Sequence, residues 1–295
     1  MHIDAPVGIL GLGLIGTAFS ERLIGASIAV LGFDIDPARC EKLRENRGAV
    51  AASTRELASR CPTIVIAVYS GAQAEALFAD IESSPAHPAL ICTTTCAPDE
   101  IIRLAKRATN AGIPFVEAPI SGTSAEVREG TATALVAGEA GAIEGAGALL
   151  DVLCPQRMRI GKVGDASRAK LAINLILQNN RAALAEGIVL AERLGLHGQA
   201  FLAAARQSAA HSRVMDTKGE KMLSRDFRLQ SHLAQTLKDA ELILEEAARH
   251  GLHLPVTTAQ AGLLRAAIAI EGPDSDSAAI IEAIPQRTDS AEVSR

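Results

Sequence analysis

The most informative stretch of this 295-residue sequence is Val7-Gly-Ile-Leu-Gly11-Leu-Gly13-Leu-Ile-Gly16. An apolar run leads directly into three glycines, and a helical pattern follows from Thr17. In such a strand–turn–helix unit the first glycine permits a tight turn, the second lets a pyrophosphate approach the backbone, and the third lets the helix pack on the strand. The free N–H groups at the helix N-terminus favour the phosphates. We therefore predict a dinucleotide-binding turn whose cofactor contacts are Gly11, Leu12, Gly13, Leu14, Ile15 and Gly16.

A second apolar run ends at Asp34, which lies 23 residues after Gly11. A carboxylate near this spacing is typical of dinucleotide-binding units, where it accepts hydrogen bonds from the ribose hydroxyls. Asp34 would repel the 2′-phosphate of NADP, and neither Ile35 nor Asp36 offers that phosphate a positive charge. The pattern favours NAD as the cofactor, and NADP is the alternative. An ordinary glycine turn in another α/β protein is the less favoured alternative.

Apolar runs alternate with helical patterns from residue 7 to residue 160. This alternation predicts a doubly wound, mainly parallel sheet. From Asp165 onward almost every segment has a helical pattern. We therefore predict an α/β Rossmann-type NAD(P)-binding domain in residues 1–163 and an all-α domain for substrate binding and dimerisation in residues 164–295, linked by a long helix.

The linking helix is predicted from Asp165 to Leu194, because Asp165 is a favoured N-cap and Gly195 tolerates the left-handed conformation of a helix stop. Four polar residues interrupt its apolar first half at spacings that place them on one face. Because a buried ammonium without partners is very costly, this stripe needs a polar cavity, solvent or a subunit interface. The helix alone does not decide between these alternatives. The stripe consists of Lys170, Asn174, Gln178 and Arg181.

Composition argues against several other functions. The formal net charge is −5, and the chain has no tryptophan and one tyrosine, so neither nucleic acid nor an anionic membrane surface is an expected partner. The five cysteines lack a zinc-binding spacing, so we predict no metal and reduced, packed thiols. Neither a signal-peptide pattern nor an apolar run long enough for a membrane span is evident. These features predict a cytoplasmic protein.

Ligands of parallel sheets bind at the carboxyl ends of the strands, and two loops there are rich in hydroxyl groups. One is Thr93-Thr94-Thr95, and the other is Ser121-Gly122-Thr123. Short glycine-containing nests of this second kind bind anions through backbone N–H groups, and a substrate carboxylate is a natural guest. Taken alone, an ordinary surface turn is the simpler interpretation.

The sequence as a whole resembles the β-hydroxyacid dehydrogenases. This family contains 3-hydroxyisobutyrate dehydrogenase and tartronate semialdehyde reductase and is related to 6-phosphogluconate dehydrogenase. The resemblance covers nearly the whole chain and rests on four segments in the family's order. They are Ile9–Gly16, Glu117–Gly122, Gly161–Asn174 and Leu237–Leu242.

The resemblance implies a catalytic role for two residues of the polar stripe. Lys170 matches the family's catalytic lysine, which acts as an acid in reduction and as a base in oxidation. Asn174, one turn later, matches the residue that orients the substrate. We expect a lowered pKa for Lys170, because burial among apolar side chains disfavours the charged form. The implied reaction is hydride transfer between NAD(P) and a small 3-hydroxy acid or semialdehyde.

Binding roles are implied in the same way. Ser121 and Gly122 match binders of the substrate carboxylate, and Thr95 aligns with a threonine near the nicotinamide. Lys238 matches a lysine that closes over cofactor and substrate. A homodimer or homotetramer is the family's habit and our expectation.

Three positions depart from the family's pattern. Thr123 replaces the second glycine of the substrate loop, where a side chain would narrow or decorate the carboxylate site. Tyr69 stands where the third strand usually ends in Leu-Pro, so we expect it to border the cofactor. His232 replaces a phenylalanine, and we predict either a contact with a polar substrate tail or a partly exposed helical histidine. These changes argue against a simple aliphatic substrate.

Two other functions are compatible with the same architecture. Imine reductases generally lack a lysine at the position of Lys170, so its presence argues against that activity. A non-catalytic NAD(P)-binding sensor would bind the cofactor without turnover, and its binding would be unaffected by Lys170→Ala.

Overall fold

The computed structural model describes residues 5–284 of the chain. Its packing divides the chain into two compact units, Met1–Ile173 and Asn174–Arg295. The domain boundary that we predict between residues 163 and 164 stays a prediction, and the last eleven residues of the predicted helical domain lie outside the described residues. Among the residues described, no helix is both long and apolar enough to cross a membrane.

The N-terminal unit is built on a nine-stranded sheet, in the order β3-β2-β1-β4-β5-β6-β8-β7 with β9 beside β8. The strands are β1 (Val7–Leu10), β2 (Val30–Phe33), β3 (Ala49–Val50), β4 (Thr63–Ile66), β5 (Ala89–Cys92), β6 (Phe115–Glu117), β7 (Ile120–Ser121), β8 (Thr133–Gly138) and β9 (Gln156–Gly161). Strands β1 to β6 pair in parallel, whereas β8 is antiparallel to β6 and β7. The order 3-2-1-4-5-6 is that of a doubly wound dinucleotide-binding sheet, so the predicted fold class is confirmed.

Both faces of the sheet are buried. Ile9 and Val65 pack into the core on one face, whereas Leu10 and Ile66 pack into the core on the other. Because successive side chains of a strand point to opposite faces, a strand covered on both sides needs an uninterrupted apolar run. This explains why the strands appear in the sequence as runs rather than as alternating patterns.

Helices cover the sheet between the strands. They are α1 (Leu14–Gly25), α2 (Pro37–Glu45), α3 (Thr54–Arg60), α4 (Gly71–Glu82), α5 (Pro98–Asn110), α6 (Ser124–Glu129), α7 (Ala140–Gly145) and α8 (Gly147–Leu153). The sequence analysis does not predict α3, α6, α7 or α8, because helices of six or seven residues are too short to show a clear 3.6-residue period.

The long helix α9 (Asp165–Arg193) is confirmed, but its predicted N-cap is wrong. Asp165 is the first helical residue, and its carboxylate accepts a hydrogen bond from the Lys162 N–H at 3.1 Å. Gly164, with φ of +95°, precedes the helix instead. The predicted stop at Gly195 is correct: φ is +82°, and its N–H and that of Leu196 bond the last turn at 3.1 and 3.0 Å. This is the glycine-ended helix stop expected from the sequence.

The regular elements described for the C-terminal unit, up to residue 284, are all helices. After α9 it contains α10 (Gly198–Gln207), α11 (Arg213–Ser224), α12 (Leu233–Arg249), α13 (Pro255–Glu271) and a final 3₁₀ helix (Ser277–Ala283). Its core draws on every one of these helices, with members that include Leu184, Ile188, Leu202, Met222, Leu233, Leu264 and Ile280. The all-α character predicted for this part of the chain is confirmed.

Candidate active site

The glycine turn has the shape that a dinucleotide needs. Gly11 has φ of +90°, and a Cβ there would lie 2.6 Å from the carbonyl oxygen of Ala67. A Cβ at Gly16 would lie 1.8 Å from the carbonyl oxygen of Gly11. At Gly13, by contrast, the nearest atom to an added Cβ is Arg39 Nη1, at 3.9 Å. Two glycines are therefore required by the fold, whereas Gly13 leaves open space at the N-terminus of α1, where a pyrophosphate would bind.

Asp34 is held against this turn. Its Oδ2 accepts a hydrogen bond from the Leu12 N–H at 2.7 Å, and its Oδ1 accepts one from the Asp36 N–H at 2.9 Å. Arg39, on α2, places Nη1 3.4 Å from Asp34 Oδ2 and Nε 3.4 Å from Asp36 Oδ2. The carboxylate therefore lies beside the glycine turn, and its contact with a ribose stays a prediction. The sequence analysis missed Arg39, although its spacing of five from Asp34 places it on the first turns of α2.

The loops after β4 and β5 are tied together by hydroxyl groups. Thr93 donates its hydroxyl to the Ile66 carbonyl at 2.9 Å, and Thr94 donates to the Val68 carbonyl at 3.2 Å. Thr95 is half-buried beside them. Tyr69 is 45% exposed, and its N–H donates to Gln73 Oε1 at 2.9 Å. The hydroxyl groups of Thr93 and Thr94 thus bond backbone carbonyls, and the cofactor contacts of Tyr69 and Thr95 stay predictions.

The substrate loop predicted from the sequence starts α6. Thr123 is the N-cap of that helix: its Oγ1 accepts from the Glu126 N–H at 3.2 Å, and its own N–H donates to Glu126 Oε2 at 2.7 Å. This reciprocal pair is a capping box. The Thr123 N–H that we expected to face an anion is therefore already bonded. Ser121 and Gly122 immediately precede Thr123. Ser121 is the last residue of β7, and Gly122 has a φ of +153°.

The polar stripe of α9 is buried along its whole length. Lys170 and Arg181 are each 6% exposed, Asn174 is 4% exposed and Gln178 is 3% exposed. The solvent-exposed alternative for the stripe is therefore wrong. Asn174 Nδ2 donates to Asp239 Oδ2 at 3.0 Å, and Lys238 Nζ lies 2.8 Å from Asp239 Oδ1. Asn174 and Lys238, predicted separately, are brought together by Asp239, which the sequence analysis does not identify as a site residue.

His232 has a partner of its own. It is the N-cap residue of α12, and its Nδ1 lies 3.3 Å from Asp274 Oδ1, with 30% of the side chain exposed. The partial exposure agrees with the second of the two predicted alternatives, but His232 precedes the helix with extended backbone and does not lie within it. The contact of His232 with a substrate tail stays a prediction.

A second ionic pair of the C-terminal unit was not predicted. Lys218 Nζ donates to both carboxylate oxygens of Asp276, at 2.7 and 2.9 Å. Asp276 also accepts N–H groups of Gln230, Ser231 and Ala278. Burial lowers the pKa of Lys218 to about 8, although the charge of Asp276 opposes the shift. The two partners lie 58 residues apart, so no local pattern could reveal the pair.

Known proteins share this architecture along the full chain. A family profile described as the NAD binding domain of 6-phosphogluconate dehydrogenase matches residues 6–161. A second, described as NAD-binding of NADP-dependent 3-hydroxyisobutyrate dehydrogenase, matches residues 164–284. A solved structure of a Salmonella typhimurium 3-hydroxyisobutyrate dehydrogenase superposes with a TM-score of 0.86 at 24% identity, covering 95% of this chain and 99% of that one.

Curated relatives are similar over the same length. The 2-hydroxy-3-oxopropionate reductase of Escherichia coli strain K12 is 28% identical, over 94% of this chain and 96% of its own length. The L-threonate dehydrogenase of Cupriavidus necator is 27% identical, over 93% and 94% respectively.

The fold and the glycine turn define an NAD(P)-binding oxidoreductase with a helical C-terminal unit. More particularly, the chain belongs to the β-hydroxyacid dehydrogenase family, whose nucleotide-binding domain is shared with 6-phosphogluconate dehydrogenase.

Proposed function

We propose that this protein interconverts a small 3-hydroxy acid and its semialdehyde with NAD(P), using Lys170 as the general acid and base. One observation carries the proposal: Lys170 is buried on the same helical face as Asn174, whose amide is fixed by Asp239. A buried lysine followed one turn later by an oriented amide can hold a substrate oxygen and exchange a proton with it. The names of the curated relatives, two of which are given above, support this class of substrate.

Within this proposal each residue has a defined task. In oxidation the neutral amine of Lys170 takes the proton of the substrate hydroxyl, while a hydride leaves the carbon that carries this hydroxyl. In reduction the ammonium returns that proton to the carbonyl oxygen. Asn174 orients the substrate, and the N–H groups around Ser121 and Gly122 bind its carboxylate. Bound NAD(P) supplies the hydride acceptor or donor.

The proposed cofactor residues fit a dinucleotide. The open side of Gly13 receives the pyrophosphate, and Asp34 binds the ribose hydroxyls. We propose NAD as the preferred cofactor, because a 2′-phosphate would meet the carboxylates of Asp34 and Asp36. The nearby Arg39 is already placed against both of these carboxylates, which reduces the charge that it offers to a phosphate. Tyr69, Thr95 and Lys238 complete the proposed contacts.

A homo-oligomer is also proposed. Several large apolar side chains of α9 are exposed, which is unusual for the surface of a monomer. They are Ile173, Ile176 and Leu190, with exposures of 36%, 60% and 60%. Light scattering of the purified protein tests this, and the mass of a single chain would contradict it.

The proposed activity is tested by a turnover screen. Three- to five-carbon 3-hydroxy acids are oxidised, and their semialdehydes reduced, with NAD(H) and NADP(H) in parallel. We expect NAD-linked turnover that falls by at least about 10³-fold in Lys170→Ala, the scale expected when a general acid–base group is lost. Lys162→Ala, at an exposed position shortly before the helix, is the matched control. Full turnover by Lys170→Ala would remove this lysine from the chemistry. NAD(P) binding unaffected by Lys170→Ala, without turnover of any substrate, would favour the sensor.

A further inference from the structure

A buried arginine of the C-terminal unit has hydrogen-bonding capacity that the fold does not use. Arg181, on α9, is 6% exposed, and its Nε and Nη1 are buried without a hydrogen-bond partner. Gln178, three residues earlier on the same face, also has an unpartnered buried atom, Oε1. Because an unpaired charged donor is costly to bury, such a group indicates a ligand that completes it.

The carboxylates that act on Arg181 are already paired with other cations. Its pKa is affected by two carboxylates, those of Asp276 and Asp239. Each of them already has a lysine at hydrogen-bonding distance: Lys218 at 2.7 Å from Asp276 and Lys238 at 2.8 Å from Asp239. Both carboxylates that act on Arg181 thus already have a lysine partner.

Arg181 keeps its positive charge at neutral pH. Burial lowers the pKa of Arg181 only to about 10, because the charges of Asp276 and Asp239 favour the protonated form. A buried charge of this kind is stabilised by an anion that brings its own charge and hydrogen-bond acceptors.

The position of Arg181 relates it to the proposed catalytic residues. It lies seven residues after Asn174 on the same face of α9, or about 10 Å along the axis at 1.5 Å per residue. Side chains of a helix lean toward its N-terminus and an arginine side chain is long, so the geometry of a helix favours a guanidinium on the Asn174 side of Arg181. The electrostatic influence of Asp239, the partner of Asn174, on Arg181 is consistent with this direction.

We propose that Arg181 binds a second carboxylate of the substrate, so that the preferred substrate is a 3-hydroxy acid with a carboxylate at the far end of a short chain. The inference rests on the proposed function, in which Lys170 and Asn174 hold the reacting end. A guanidinium binds a carboxylate through two parallel hydrogen bonds, and a carboxylate would supply the acceptors that Nε and Nη1 of Arg181 lack. Arg181 is then a specificity-determining residue rather than a structural one.

Three substrates that differ only in the tail test this inference. They are 2-(hydroxymethyl)glutarate, its 5-amide and 3-hydroxyisobutyrate, which share the same reacting end. The amide has nearly the shape of the diacid without its second charge. The enzymes compared are the wild type, Arg181→Gln, Arg181→Lys and, as a control, Arg193→Gln at an exposed position of the same helix.

We expect the wild type to prefer the diacid to the 5-amide by on the order of 100-fold in kcat/KM, the scale of a buried charged hydrogen bond. Arg181→Gln should lose this preference while its kcat/KM for 3-hydroxyisobutyrate stays within about threefold of the wild-type value. Arg181→Lys should retain part of the preference, and Arg193→Gln all of it. Equal activity of the wild type toward diacid and amide, or an equal fall for all three substrates in Arg181→Gln, would overturn the inference.

A second measurement does not depend on turnover. In the presence of NAD(P)⁺, the diacid should raise the Tm of the wild type more than the 5-amide does, and this difference should vanish in Arg181→Gln. Without ligand, Arg181→Gln should melt no lower than the wild type, because it removes a buried charge whose Nε and Nη1 have no hydrogen-bond partner. A lower Tm without ligand, or equal stabilisation by both compounds, would indicate a structural role and overturn the inference. Failure of the proposed function gives a different result from failure of this inference. It would appear as full turnover by Lys170→Ala with all three substrates.

Discussion

Two buried carboxylates, one in each unit, are stabilised in different ways. Glu117, at the end of β6, accepts the N–H groups of Gly164 and Ser167 at 2.6 Å each, where α9 begins. Asp276, at the start of the final 3₁₀ helix, accepts both a lysine ammonium and backbone N–H groups. The first anion is therefore held by the positive end of a helix dipole, and the second by a full charge.

The difference appears in the pKa of each group. Burial raises the pKa of Glu117, and its contacts with Ser167 and Gly164 only partly oppose the shift. Burial also acts to raise the pKa of Asp276, but the charge and hydrogen bonds of Lys218 outweigh it, so the pKa is lowered. A helix N-terminus is equivalent to about half a charge, which is less than the desolvation of a carboxylate requires. For Asp276 a paired cation together with backbone N–H groups compensates burial, whereas for Glu117 the helix end, opposed also by the charge of Asp165, does not.

The largest expected effect comes from removing the cation of the second pair. Lys218→Met keeps the volume but leaves Asp276 charged and buried, which should cost about 3–5 kcal/mol of unfolding free energy. Urea denaturation measures this cost. Lys221→Met, on the same helix, is the control and should cost about 1 kcal/mol or less. If Lys218→Met costs no more than the control, Asp276 is held by its backbone N–H groups alone and the comparison fails. Adding Asp276→Asn to Lys218→Met should recover part of the loss.

A smaller effect is expected where Glu117 is replaced. Glu117→Ala leaves the N–H groups of Gly164 and Ser167 without their acceptor, which should cost about 2–3 kcal/mol. Glu117→Gln retains one acceptor oxygen and removes the charge, so its cost should be near 1 kcal/mol. Thermal and urea unfolding of the two variants separate the acceptor from the charge. An equal cost for both would show that the charge itself stabilises the start of α9.

Local patterns in the sequence predicted the features that depend on neighbouring residues. The turn at Gly11–Gly16, the carboxylate at Asp34 and the helix stop at Gly195 each require a residue type at a fixed spacing, and they were found in this way. The capping box of Thr123 and Glu126 also has such a signature, a threonine followed three residues later by a glutamate, and could have been recognised. Thr123 was instead interpreted as a possible substrate contact.

Features that join distant parts of the chain could not be predicted. Glu117 contacts residues 47 and 50 positions away, and Asp276 pairs with a lysine 58 positions away. The sequence showed that Arg181 shares a face with Lys170 and Asn174, but not whether that face is buried. Its burial and the carboxylates near it depend on how the later helices pack. The roles assigned to Lys170, Asn174, Ser121 and the other site residues stay predictions until they are tested.

The smallest expected effect is the dependence of stability on pH between about 3 and 7, below the range in which Lys218, with its pKa of about 8, titrates. Asp276 has a folded-state pKa below its ordinary value of 3.8, so its contribution is present above that pH and is lost as the pH falls through the folded pKa. Glu117 has a folded-state pKa above its ordinary value of 4.5, so its contribution is complete below pH 4.5 and is lost as the pH rises through the folded pKa.

The two groups therefore change stability in opposite directions as the pH rises. In urea denaturation across this range, Glu117→Gln should remove the decline in unfolding free energy that the wild type shows above pH 4.5. Asp276→Asn should instead weaken the decline at acid pH. The same pH profile in Glu117→Gln as in the wild type would mean that the dipole of α9 compensates the burial of Glu117 fully. The helix end and the paired cation would then differ in their geometry and not in how fully each offsets the burial of a carboxylate.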